Sequence, residues 1–99
     1  HTLGNISLLA DYISIAKVVM VTNWGVFTPI ISTTEFKSYK GEKISIFSID
    51  QVKLKTENLK YPLNDRILTN WWQGSLNVSI ANSFKIITSG RTIIFQAYN

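Results

Sequence analysis

The chain has 99 residues and a formal charge of +4, with 45% hydrophobic and only 16% charged residues. This composition excludes a disordered tail and fits one compact domain over residues 1–99. There is no cysteine and one histidine, His1, so disulfide and thiolate chemistry are excluded, and His1 reads as the remnant of an expression tag.

Residues 6–21, "ISLLADYISIAKVVMV", place Ser7, Asp11, Ser14 and Lys17 four, three and three positions apart. That spacing draws one polar stripe on a helix whose other faces are apolar, so the segment is predicted to be a mostly buried helix. It is too short and too charged to span a bilayer, which needs about 20 apolar residues. "TNWGVF" then reads as a turn around Gly25, and "TPIISTTEF" as a strand opened by Pro29. "ISIFSIDQVKLKT" is one long strand signal whose alternation slips near Asp50 and Gln51, where a bulge or bend is expected. "NLKYPLND" is a loop centred on Pro62. "LNVSIANSF" alternates cleanly and continues to Ile87. "TSGR" reads as a hairpin turn at Gly90, and "TIIFQAY" as the last strand. The expected fold class is α+β: one N-terminal helix packed on a mainly antiparallel sheet of four to five strands.

Reactive chemistry is scarce. With His1 set aside, no side chain titrates near neutral pH as a general acid or base. The six carboxylates, Asp11, Glu35, Glu42, Asp50, Glu57 and Asp65, are evenly spread, and no metal cluster, cofactor motif, G-x-S-x-G or phosphate-binding glycine loop occurs. The chain is therefore expected to be no enzyme and to carry no catalytic residue, metal or cofactor. The sequons at Asn5 and Asn77 read as chance matches.

Apolar residues exceed what one helix can cover. Trp71 and Trp72 are adjacent and must point to different sides of any element. Ile93 and Phe95 share one face of the last strand, and Tyr98 lies on the other. One helix on one sheet leaves a wet face that should alternate cleanly, so a second copy of the chain is the expected cover, and Trp71, Trp72, Ile93, Phe95 and Tyr98 are the interface or binding candidates. Closure of the sheet into a barrel is an alternative. A sequence-tolerant nucleic-acid binder is another, with Lys53, Lys55, Lys60 and Arg66 as phosphate contacts. It ranks lower because the ten basic residues are dispersed and aromatics are not interleaved with them. Few carboxylates also imply tolerance of low pH.

The segments "LGNISLLADYISIAKVVMVTNWGVF" and "NWWQGSLNVSIANSF" resemble the small orphan proteins of filamentous viruses that infect hyperthermophilic, acidophilic archaea, of the Acidianus filamentous virus type. The resemblance implies a non-catalytic viral structural or interaction protein of unassigned role, a heat- and acid-stable homodimer located in the virion or host cytoplasm. It carries over no functional residue.

Overall fold

The computed structural model describes residues 19–69 and 76–98. These residues form nine strands: β1 (Met20–Val21), β2 (Gly25–Ile30), β3 (Thr34–Lys37), β4 (Lys43–Ser48), β5 (Lys53–Glu57), β6 (Arg66–Ile67), β7 (Asn77–Val78), β8 (Ser83–Ile87) and β9 (Thr92–Ala97). They build two antiparallel sheets, ordered β1-β2-β9-β4-β7 and β3-β8-β5-β6. The described residues contain no helix, so the expected α+β class is corrected to all-β. Residues 6–18 of the expected helix lie outside the described residues, and Met20 and Val21 at its end are strand. The run Val18-Val19-Met20-Val21 is β-branched or stiff at most positions, which favours the pleated backbone.

Alternation explains which faces meet. Cross-strand partners share a face, and the register pairs Ile46 with Ile94 and Thr28 with Ile94. Ile30, Ile44, Ile46 and Ile94 therefore point one way from the larger sheet. Phe36 pairs with Phe84, and Thr34 and Thr56 both pair with Ile86, so Phe36, Leu54, Phe84 and Ile86 point one way from the smaller sheet. The two sets form one buried cluster, with the Phe36 and Phe84 rings stacked at 5.0 Å. The molecule is a sandwich, and the cover that the sequence assigned to a helix is supplied by the second sheet. These inner faces are therefore covered within one chain.

The two outer faces differ. On the smaller sheet, Glu35, Lys85 and Glu57 face one another across β3, β8 and β5, a row of alternating charge suited to water. On the larger sheet, Phe27 and Ile93 are buried, with Met20, Phe47, Ile49 and Phe95 packed against them. Pro29 is accommodated in β2 because β1 pairs only as far as Phe27, which leaves no described strand to demand its missing N–H.

Most connections cross between sheets. β2, β4, β7 and β9 belong to one sheet and β3, β5, β6 and β8 to the other. The phase slip at Asp50 and Gln51 marks the crossing from β4 to β5. The expected hairpin at Gly90 is a crossing too, since β8 and β9 lie in different sheets.

Candidate functional site

Three segments converge at the β7 end of the sandwich. Gly41 N donates to Ser79 O, and Ser79 N donates to Glu42 O. On the other flank, Lys60 N donates to Val78 O, and Ile80 N donates to Asn58 O. The 38–42 turn, the 76–80 segment and the 58–63 loop thus lie side by side. The loop is closed at its base by Thr56, whose hydroxyl accepts from Leu63 N while its own N–H donates to Leu63 O.

Backbone strain collects here. Leu76 has φ 60° and Asn58 has φ 67°. A left-handed conformation is local and tolerable for Asn but costs a leucine about 1–2 kcal/mol. Leu76 is also 83% exposed, and Tyr61 on the neighbouring loop is 57% exposed. A strained, solvent-facing leucine next in the chain to Asn77, which bonds the main chain of an exposed tyrosine, is more than folding alone requires. Lys60 caps one side of the Tyr61 ring, with Nζ 5.4 Å from its centroid.

Polar side chains of these segments are hydrogen-bonded. Asn77 is buried and bonds the main chain of Tyr61 through both ends of its amide. Glu42 is also buried, and its Oε1 accepts from the Ser38 hydroxyl and from Gln96 Nε2. Among the described residues, no three His, Cys, Asp or Glu come together. The arrangement offers apolar and aromatic surface, which can hold a planar molecule, and the Ser38 hydroxyl donates to a carboxylate that Gln96 also engages.

The candidates from the sequence do not form one surface. Trp71 and Trp72 lie outside the described residues. Ile93 is fully buried on the outer side of the larger sheet, with the Phe95 ring next to it and 4.5 Å from Phe27. Tyr98 is exposed past the end of β9, where its N–H donates to Trp24 O. Lys53 and Lys55 stand on the charged outer face, with Glu57 beside them on β5, and Arg66 lies on β6 opposite Leu54. Lys60 is apart, over Tyr61. Acids interleave with these cations, and no continuous phosphate track results. Tyr61, Leu76 and Asn77 were missed by sequence reasoning. Only "KYPLND", a conspicuous turn with an aromatic at its entrance, signalled any of them.

The family described as "Thiamin pyrophosphokinase, substrate-binding domain" matches residues 25–95, from the start of β2 into β9. The chain belongs to this family. Solved structures agree on the fold. Thiamine pyrophosphokinase from Bacillus subtilis is 20% identical, with a TM-score of 0.78, over 100% of this chain and 50% of that one. The enzyme from Geobacillus thermodenitrificans is 17% identical, with a TM-score of 0.74, over 100% and 48%. That from Candida albicans is 12% identical, with a TM-score of 0.82, over 99% and 40%. The chain spans about half the length of these structures or less. Comparison with curated proteins gave no match.

The family match overturns the resemblance to filamentous-virus orphans, which rested on running text without a motif that spacing can test. With it go the non-catalytic viral structural role and the expectation that the chain is no enzyme. A thiamin pyrophosphokinase domain is a part of an enzyme, one whose assigned task is to bind substrate. The scarcity of reactive side chains in the sequence was what misled.

Proposed function

We propose that this chain is the substrate-binding portion of a thiamin pyrophosphokinase, holding thiamin while the diphosphate-transferring groups are supplied from outside residues 1–99. The observation that carries this is the family match across eight of the nine strands, β2 to β9. Thiamin is a flat aminopyrimidine joined to a cationic thiazolium ring that bears an alcohol. Flat cationic rings are bound by aromatic and apolar faces, and the exposed Tyr61 ring and the exposed Leu76 have that character. The chain's own part is to bind the rings, exclude water from them and leave the alcohol outward.

Trp71 and Trp72 belong to the same proposal as further aromatic surface close before Leu76 in the chain. Self-association also belongs to it, and a sedimentation mass equal to one 11.2 kDa chain would remove that element.

Calorimetric titration of thiamin into the protein tests the reading. Saturable binding at one site per chain is expected. Trp71→Ala and Trp72→Ala are titrated in the same way, and a loss of about fivefold in one of them is expected, the size of a cation–π contact. No binding up to millimolar thiamin overturns the reading.

A further inference from the structure

Asn77 occupies an edge strand of only two residues, yet it is 5% exposed. Its amide is spent on one distant residue. Oδ1 accepts from Tyr61 N at 3.0 Å and from Val78 N at 2.9 Å, and Nδ2 donates to Tyr61 O at 2.7 Å. A side chain that engages both the N–H and the C=O of one residue replaces the strand partner that residue lacks. Few side chains can do this: Asp has no donor, and Gln carries an extra methylene.

We infer that Asn77 is a positioning residue, which fixes the main chain of Tyr61 and thereby sets the exposed Tyr61 ring as a face that holds thiamin. The inference rests on the functional reading above. Three features make the clip necessary. Pro62 follows Tyr61 and has no N–H to anchor the loop. Leu76, immediately before Asn77, is held at φ 60°, a conformation that persists only where its surroundings over-determine it. Leu59 and Ser79 form a single isolated bridge, so no longer ladder holds the two segments together.

The test is a double-mutant cycle on thiamin binding with the full chain. Asn77→Asp keeps both acceptor bonds, loses the donor and faces a carboxylate toward the Tyr61 carbonyl. Asn77→Asp and Tyr61→Ala are each expected to weaken binding about tenfold or more, and the double variant should bind within about twofold of Tyr61→Ala, since residues acting through one another are not additive. Unchanged affinity in Asn77→Asp overturns the inference, and so do fully additive losses, because a purely structural role lowers affinity equally in both backgrounds. A wild-type chain that binds no thiamin overturns the functional reading instead. The clip is then read by amide exchange in Asn77→Ala: the Tyr61 N–H should exchange at least about tenfold faster while Ile46 in the core is unchanged. Equal exchange at Tyr61 overturns it independently of any ligand.

Discussion

A Cβ added at Gly25 would run into the carbonyl oxygen of Gln96 and come within 2.7 Å of the Phe95 ring. Gly25 opens β2 opposite Ala97, so the obstacle is strand backbone and cannot swing aside. Gly25→Ala is expected to destabilise the chain by about 2 kcal/mol, as overpacking does, lowering the melting temperature by roughly 8–16 °C; scanning calorimetry measures it, and an unchanged melting point would show that β2 and β9 can separate locally. Leu76 behaves oppositely. Leu76→Gly relieves the left-handed backbone, so stability should rise by up to about 1 kcal/mol while thiamin affinity falls, the signature of strain kept for function. Neither residue announces itself in the sequence. Gly25 reads as a turn glycine because nothing local reports the Phe95 ring, 70 positions away in the chain. Leu76 reads as the first apolar position of an alternating strand, since nothing local in the sequence reports its φ of 60°.

At the scale of elements, Asp50 and Arg91 join the β4–β5 crossing to the β8–β9 crossing. The guanidinium donates from Nη2 to Asp50 Oδ1 at 2.8 Å, the Arg91 N–H donates to Oδ2 at 2.9 Å, and Ile49 N donates back to Arg91 O. The Arg91 side-chain bonds, followed by its backbone N–H and its charge, hold the Asp50 carboxyl below its ordinary value of 3.8. A carboxyl depressed in the folded state adds stability above its unfolded value and loses it as pH falls through the folded one. Asp50→Asn should therefore cost less than about 1 kcal/mol at pH 7, the pair being partly exposed, and the difference from wild type should vanish in urea melts well below pH 3.8. A gap that persists in acid would assign the loss to packing around Gly90. The phase slip that places this crossing was legible, because alternation must break where the chain changes sheets. Its destination was not: two alternating runs joined by a short turn look alike whether they pair as a hairpin or arch over to the facing sheet. Each run therefore appeared to have a wet face needing a partner, when it had a dry face needing the other sheet. The contrast is measurable, since Ile46→Ala on the shared interior should cost about 3 kcal/mol and Lys85→Ala on the outer row less than about 0.5 kcal/mol.

For the whole molecule, the charge of +4 separates two kinds of ligand. A basic chain attracts polyanions, and such binding weakens steeply as salt rises because condensed counterions are released on contact. The same charge repels a cation such as thiamin. With Lys53, Lys55 and Lys85 spread over one outer face among Glu35 and Glu57, no local patch reverses that background. Added salt shortens the range of the repulsion from about 10 Å at 0.1 M to about 3 Å at 1 M, so a contact made by aromatic and apolar groups should be preserved or modestly strengthened. Thiamin affinity is expected to stay within about threefold, or to increase, as sodium chloride is raised from about 0.1 M to about 1 M, while retention of any duplex DNA falls by orders of magnitude over the same range. Titration calorimetry and a DNA-retention assay, run on one preparation in the same buffers, give both slopes. A thiamin affinity that collapsed with salt would require an anionic site facing the ligand, and the buried Glu42, whose main chain bonds Ser79 next to β7, would then be the residue to replace.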